Sequence, residues 1–298
     1  LAVVLNTPSC VRGSPARRLY TQGFAEADTH AKACATQDCG EAVSITRLLE
    51  QNRRLGRDHE KTTKAIADAT RVAGLGPGLD GSFAGFIEVN KTTENSLFYW
   101  YFPSQDGNKK APLLIWLQGG PGGASTFGLF AEIGPSYLTA DLKLHPRPYT
   151  WNKHYSLLFI DNPVGAGYSF TGTGKGYAQN SKTDVARDLY SAMVQFYKAY
   201  PGEAKNDLYI TGESFAGHYI PAFGAYIHEQ NAKAKRAAGE EEAQQGDQGS
   251  QGSASSSFAA ASSSPLLLPL KGVSIGDGWT DPGLQMTATP SLMFNLGL

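Results

Sequence analysis

The chain has 298 residues, of which 41% are hydrophobic and 18% are charged, and its formal net charge is −1. This composition supports a globular protein with a sizeable core. The near-neutral charge removes any general electrostatic argument for nucleic acid or an anionic membrane as a partner, and no apolar run approaches the roughly 18 residues of a membrane-spanning helix. The three cysteines and His30 show no persuasive metal-binding spacing, and we expect neither a metal nor another cofactor.

The first part of the chain is predicted to be an extension. Residues 1–40 show no clear periodicity, and residues 43–72 form a heavily charged helical pattern. The apolar stripe of that pattern is sparse: Ile45, Leu48, Leu49, Leu55 and Ile66. An exposed helix, a helix packed on a partner and a propeptide segment all fit this pattern. Because the glycine-rich stretch 74–81 marks a boundary, we predict an N-terminal extension over residues 1–78 and a domain over 79–298.

The pattern after this boundary alternates between strands and helices. Apolar runs of strand type occur at 86–89, 97–102, 113–117, 157–161, 208–211 and, more weakly, 272–275. The first two are predicted to form a hairpin, and residues 184–198 carry one helical apolar stripe. Strands that alternate with helices indicate parallel strands with right-handed crossovers, and therefore an α/β sandwich.

One segment interrupts this pattern. From about residue 230 to residue 264 the chain consists of Lys/Ala, Glu, Gln/Gly and Ser/Ala tracts. These tracts cannot bury enough apolar surface to offset the entropy of ordering them. We therefore predict a disordered surface insertion over about 230–264.

The stretch 208–221 predicts a catalytic serine. An apolar strand ends at Gly212, Ser214 follows, and a helical pattern begins at once. This strand, turn and helix context is typical of a nucleophile elbow, in which a sharp turn lifts a serine hydroxyl clear of the sheet. The alternative for so short a motif is an ordinary turn that caps a helix.

A glycine-rich loop at 118–123 follows an earlier apolar strand and supports the same prediction. Acyl transfer places negative charge on a carbonyl oxygen, which two preorganised N–H donors stabilise. In an α/β hydrolase one donor is the residue after the nucleophile, here Phe215, and the other comes from a loop of this kind. A phosphate-binding turn is the alternative, but the loop lacks the Gly-Lys-Ser/Thr ending of that motif.

Four stretches resemble the signature blocks of the serine carboxypeptidase family. They are WLQGGPGG at 116–123, DNPVGAGYSF at 161–170, GESFAGHY at 212–219 and GDGWTDP at 276–282. The first two are most similar to the vitellogenic-like branch of the family. The resemblance runs from about Ser82 to the C-terminus, interrupted by the predicted insertion, and corresponds to the N-terminal part of the family's catalytic domain.

This resemblance implies an α/β-hydrolase fold, a three-layer sandwich with a mixed, largely parallel sheet, and release of the C-terminal residue from peptides or proteins. It implies a nucleophile, two oxyanion-hole amides and three side chains for the substrate's free carboxylate, which are Ser214, then Gly120 and Phe215, then Gln118, Glu132 and Glu213. Two glutamates can hold a carboxylate if one is protonated, because crowding raises one pKa of the pair. The commoner family residue at position 118 is Asn.

The family's acid and base lie farther along than this sequence extends. After Ser214 the histidines are His218 and His228, which lie on the helix that leads away from the elbow. Asp277 and Asp281 follow a strand, but within a different family block. We therefore expect a fragment without the triad Asp and His, inactive as it stands, from a carboxypeptidase.

Two alternatives to this function remain, and the compartment is implied only by the family. An acyltransferase on the same scaffold and a non-catalytic binding or stabilising protein both fit the fold. The family implies a vacuolar, lysosomal or secreted protein. The sequon at Asn90 would be glycosylated only in the secretory pathway.

Overall fold

The computed structural model describes residues 42–246 and 266–297, and it describes side chains throughout except at 239–246. The strands are β1 (Phe83–Asn90), β2 (Asn95–Phe102), β3 (Leu113–Leu117), β4 (Ser136–Leu138), β5 (Leu144–Pro146), β6 (Ser156–Ile160), β7 (Phe170–Thr171), β8 (Leu208–Glu213) and β9 (Leu270–Gly276). The α-helices are α1 (Ile45–Arg54), α2 (His59–Thr70), the single turn α3 (Ser125–Phe127), α4 (Ala186–Ala199), α5 (Ala216–Gly246) and α6 (Pro282–Leu296).

The main sheet is mixed and mostly parallel. In the described residues its strand order is β1-β2-β6-β3-β8-β9, and β7 pairs with β2. The pairs β1–β2 and β2–β6 are antiparallel, whereas β6, β3, β8 and β9 run parallel to one another. Strands β4 and β5 form a separate antiparallel hairpin.

The central strands are buried because packed layers cover both faces of the sheet. All five residues of β3 and all five of β6 are buried. Alternate residues of β3 enter opposite cores, with Ile115 on the face covered by α1, α2, α4 and α5, and Trp116 on the face covered by the segment after α3. The predicted α/β sandwich is confirmed, and so is the predicted hairpin of β1 and β2.

The segment predicted as one charged helix over 43–72 is two helices. Ser44 caps α1 by accepting a hydrogen bond from the amide of Arg47, and Asp58 caps α2 in the same way. Both Ile45 and Ile66 are fully buried in the core that α4 and the sheet share. Helices α1 and α2 therefore pack on the core that the described strands share with α4, and the division into an extension over 1–78 and a domain over 79–298 stays a prediction.

Helix α5 extends beyond the predicted start of the insertion. Ile220, Phe223 and Ile227 anchor its first half in the core, and the helix continues to Gly246. Residues 230–246, which the composition assigns to the insertion, thus continue a helix that is already docked, and the extent of the disordered insertion stays a prediction. The rest of the predicted insertion, from residue 247, lies outside the described residues.

Candidate active site

Ser214 occupies the sharp turn between β8 and α5. Its backbone has a φ of 55°, in the left-handed region that non-glycine residues rarely adopt. Its amide donates to the carbonyl of Gly276 at 3.0 Å, and its carbonyl accepts from the amide of Trp279 at 2.8 Å. Backbone hydrogen bonds from β9 and the loop after it therefore hold the serine in this conformation. The sequence-predicted elbow geometry is present.

The glycine loop after β3 lies directly against this elbow. A Cβ added at Gly119 would lie 2.7 Å from both Cβ of Ser214 and the amide nitrogen of Phe215. Gly120 follows with a φ of 119°, which strongly favours glycine. The amide of Gly123 closes the loop on the carbonyl of Gly119 at 2.9 Å. The two segments predicted to supply the oxyanion-hole amides are thus in contact, and the roles of Gly120 and Phe215 stay predictions.

The structure brings Gln118, Glu132 and Glu213 together from three separate parts of the chain. Nε2 of Gln118 lies 2.6 Å from Oε1 of Glu213 and 3.3 Å from Oε1 of Glu132. Gln118 follows β3, Glu213 ends β8, and Glu132 ends a π-helical turn, Gly128–Glu132, that continues α3. Turns of this type occur often at functional sites. Because Glu213 immediately precedes Ser214, the cluster lies beside the serine.

Two further residues fix the orientation of Gln118. The indole N–H of Trp116 donates to Oε1 of Gln118 at 2.9 Å, and the backbone amide of Gln118 donates to Oγ of Ser125 at 3.1 Å. The indole packs so closely on the π turn that a Cβ at Gly128 would lie 2.1 Å from Nε1. With Oε1 occupied, the donor end of the amide faces the two glutamates. The sequence analysis missed Trp116, although residues two apart on one strand share a face.

Burial and the neighbouring charge of Glu213 make Glu132 easier to protonate. Burial, and then the negative charge of Glu213, raise the pKa of Glu132 to about 7, while the hydrogen bond from Gln118 and the positive charge of Arg147 act in the opposite direction. At acidic pH the pair therefore holds a proton on Glu132, and a protonated carboxyl can donate a hydrogen bond. The site thus combines an amide donor with a carboxyl donor that is lost as pH rises.

Asp161 is a buried carboxylate behind the site that the sequence analysis did not single out. Its Oδ1 accepts from the amide of Thr126 at 3.1 Å, and its Oδ2 accepts from the amide of Tyr168 at 2.9 Å. Burial raises its pKa to about 6, against the effect of these amide hydrogen bonds. Asp161 therefore joins the end of β6 to the start of α3, which in turn carries Ser125.

In the described part of the chain, the histidines and aspartates that follow Ser214 are not hydrogen bonded to its hydroxyl. Within 42–246 and 266–297, no side chain is hydrogen bonded to the Ser214 hydroxyl. The ring of His218 stacks on Phe215 with a centroid distance of 4.4 Å, and its buried Nδ1 has no partner among these residues. His228 and Asp277 are exposed, and Asp281 caps α6 by accepting from the amide of Leu284.

Outside the glutamate cluster, the sequon at Asn90 lies at the turn between β1 and β2. Asn90 ends β1, and its side-chain oxygen accepts from the amides of Thr92 and Thr93 in the turn to β2. The described residues contain no cluster of three or more His, Cys, Asp or Glu side chains suited to a metal ion. Among the same residues, no helix combines the length and apolar character needed to cross a bilayer.

Comparison with known proteins places these features in context. The serine carboxypeptidase family model matches residues 77–241. A probable serine carboxypeptidase CPVL from Mus musculus is 42% identical over 223 residues, which are 74% of this chain and 40% of that protein. The venom serine carboxypeptidase of Apis mellifera is 37% identical over 282 residues, 94% of this chain and 52% of that protein.

A solved structure shows the same likeness. The prohormone-processing carboxypeptidase Kex1(delta)p of Saccharomyces cerevisiae superposes with a TM-score of 0.61 at 27% identity, over 78% of this chain and 48% of that chain. The chain thus spans about half the length, or less, of these relatives.

Proposed function

The chain belongs to the serine carboxypeptidase family, and from that premise we propose that it supplies the nucleophile and the substrate-carboxylate site of a serine carboxypeptidase. The family and the α/β-hydrolase fold are established by the family match and by the likeness to the yeast carboxypeptidase. The observation that carries the proposal is the Gln118 amide, hydrogen bonded to Glu132 and Glu213 beside Ser214. An endopeptidase has no need for such a group of donors next to its nucleophile.

The proposed binding mode follows from the donors present. The C-terminal carboxylate of a peptide accepts hydrogen bonds from Nε2 of Gln118 and from the protonated carboxyl of the glutamate pair. This interaction fixes the last residue, so that the final peptide bond lies against Ser214. Specificity for a chain end then arises because an internal peptide bond offers no free carboxylate to these donors.

In the proposed reaction Oγ of Ser214 attacks the carbonyl carbon of the last peptide bond. The carbonyl oxygen becomes negative and accepts hydrogen bonds from the amides of Gly120 and Phe215. The C–N bond then breaks, the C-terminal residue leaves with the proton taken from Ser214, and the remaining peptide is esterified to the serine. Water hydrolyses this ester and returns the proton to Ser214.

We propose that the base and acid of the triad come from residues that the structure does not describe, in a protein longer than this chain. The support is the share of the relatives that the chain spans, 40% and 52% for the two named above, together with the lack, among the described residues, of a His or Asp hydrogen bonded to the Ser214 hydroxyl. Without its base a catalytic serine loses roughly four to six powers of ten in rate. The 298-residue chain alone is therefore expected to bind carboxylates but to hydrolyse peptides negligibly.

The compartment and the glycan are also proposals. We propose a secreted or vacuolar/lysosomal protein that carries a glycan on Asn90, since one relative is named a venom carboxypeptidase. The turn that presents Asn90 has an exposed residue, Lys91, at the middle of the sequon. Treatment of the secreted protein with an N-glycosidase should increase its electrophoretic mobility, and Asn90→Gln should remove that change.

The proposed function is tested by binding and by covalent labelling. The 298-residue chain should bind N-acetylphenylalanine at pH 5 and should bind its C-terminal amide at least about tenfold more weakly. A form extended to the length of its relatives should cleave an N-blocked dipeptide and be labelled by a fluorophosphonate at Ser214, whereas Ser214→Ala should show neither. Equal binding of acid and amide would contradict the carboxylate site. Transfer of the acyl group to an added alcohol in preference to water would indicate the acyltransferase alternative.

A further inference from the structure

Arg147 lies where it can affect both the position and the protonation of Glu132, although no catalytic motif contains it. It directly follows β5, and the β4–β5 hairpin folds back over the π turn that ends at Glu132. Its amide donates to the carbonyl of Pro135 at 2.8 Å, which fixes the hairpin to the segment after that turn. The side chain is half-buried and reaches back toward the site.

The guanidinium holds the backbone on both sides of Glu132. Its Nη2 donates to the carbonyl of Phe130 at 2.7 Å, and its Nε donates to the carbonyl of Gly134 at 3.0 Å. These carbonyls lie two residues before and two residues after Glu132. Carbonyls at the end of a helical turn lack partners within the turn, and an arginine fork that spans two of them restricts the backbone between them.

We propose that Arg147 is a positioning residue of the carboxylate site, which fixes the backbone on both sides of Glu132 and supplies a permanent positive charge in the same cavity. The proposal rests on the proposed function, since it names what tunes that same site. Arg147 and Glu132 line one cavity of about 410 Å³ with Tyr137, Pro148 and Tyr149. The guanidinium also lies over the ring of Tyr137, 5.7 Å from its centroid, which limits its freedom to move away.

The charges around Glu132 come from several elements. Glu213 at the end of β8 is negative and favours a protonated Glu132, whereas Arg147 is positive and favours the ionised form. Gln118 is neutral and donates to both glutamates. Tyr137 of β4 lines the same cavity, and His145 of β5 stacks on Tyr137 at 5.5 Å. The positive charge of Arg147 therefore opposes protonation of Glu132, and its removal should let Glu132 stay protonated to higher pH.

The test separates the charge of Arg147 from its geometry. Arg147→Met removes both the charge and the hydrogen bonds, whereas Arg147→Lys keeps the charge but cannot span the two carbonyls. The first readout is the side-chain carboxyl ¹³C resonance of Glu132 against pH in the 298-residue chain, assigned by its loss in Glu132→Gln. The second readout is the affinity for N-acetylphenylalanine at pH 5.

We expect the Glu132 titration midpoint of Arg147→Met to move upward, and that of Arg147→Lys to stay near the wild type. Both variants should bind the carboxylate about tenfold more weakly at pH 5, because Glu132 is no longer held in place. An unchanged Glu132 titration midpoint in Arg147→Met would overturn the proposal. Wild-type affinity for N-acetylphenylalanine in Arg147→Lys would overturn it as well. The Arg147→Lys measurement also decides the question if Arg147→Met does not fold. Should the wild-type chain bind no carboxylate at all, the proposed function fails, while the midpoint comparison still decides the role of Arg147.

Discussion

The indole N–H of Trp116 donates a 2.9 Å hydrogen bond to Oε1 of Gln118, and this contact determines which end of the amide faces Glu132 and Glu213. An amide group can rotate by 180° and exchange its donor and acceptor at little cost in shape. With the acceptor facing the glutamates, the site would repel a substrate carboxylate instead of binding it. The orientation of one amide is therefore a condition for the proposed function.

Replacement of Trp116 should weaken carboxylate binding without removing it. Trp116→Phe keeps an aromatic ring in the core but loses the N–H, and the loss of one hydrogen bond is expected to weaken N-acetylphenylalanine binding by about fivefold. Trp151→Phe is the matched control, because Trp151 packs edge-on against Trp116 at 5.8 Å and donates nothing to Gln118. Isothermal titration calorimetry at pH 5 measures both, and equal affinities of the two variants would contradict the orienting role.

Carboxylate binding should be lost as pH rises through the titration of Glu132. The pKa of Glu132 is raised to about 7, so the protonated donor is present below this value and absent above it. We expect the affinity for N-acetylphenylalanine to fall by about tenfold between pH 6 and pH 8. Glu132→Gln donates at every pH and should flatten this profile, whereas the exposed Glu60→Gln should leave it unchanged. A flat profile in the wild-type chain would show that the proton on the pair has no part in binding.

Substitution of Gly119 should disrupt the elbow. In Gly119→Ala the new methyl would lie 2.7 Å from Cβ of Ser214, so the backbone of the loop or of the elbow must move. Overpacking of this type costs about 1–3 kcal/mol of stability, measured by urea unfolding, and fluorophosphonate labelling of the extended protein should decrease. Gly202→Ala is the control, since Gly202 has helical backbone angles and nothing within 4 Å of an added methyl. A Gly119→Ala variant as stable and as reactive as the control would contradict the close contact.

Asp161 should matter for stability through its two acceptor atoms. Asp161→Asn keeps one acceptor, so the amide of either Thr126 or Tyr168 would face an NH₂ group, at a cost of about 1–3 kcal/mol at pH 7. Burial raises the pKa of Asp161 in the folded protein to about 6. The contribution of Asp161 to the free energy of unfolding is therefore full at low pH and decreases as pH rises through about 6. Thermal unfolding from pH 4 to pH 8 should show this decrease in the wild type and in the exposed control Asp68→Asn, and a smaller one in Asp161→Asn.

Much of the fold follows from local pattern. The strand predicted at 113–117 is found with the same bounds, and those predicted at 157–161 and 208–211 are displaced or extended by one or two residues. Continuous apolar runs of this length are buried on both sides, so they permit few other structures. The meeting of the glycine loop with the elbow also follows, because both come after parallel neighbours, β3 and β8.

Other features depend on tertiary contacts that no pattern shows. No sequence motif links Arg147 to Glu132, and only the fold of the β4–β5 hairpin brings them together. Ile45 and Ile66 belong to the sparse apolar stripe of segment 43–72, but their full burial depends on the sheet that they cover. At the end of α5, residues 231–246 are small or polar, yet they continue the helix whose first half is docked on the core.

The turn between α1 and α2 exposes the N-terminal helices to proteolysis, although both helices pack on one core. It is exposed and flanked by basic residues, because Arg53 and Arg54 end α1 and Arg57 lies in the turn itself, and so it offers a cleavage site to trypsin-like proteases. Yet Ile45 on one side of the turn and Ile66 on the other are both fully buried in one core. A protein cut in this turn would therefore stay one particle in size-exclusion chromatography and separate into two pieces only in denaturant. Cleavage would cut the backbone while the two pieces stay associated through the shared core.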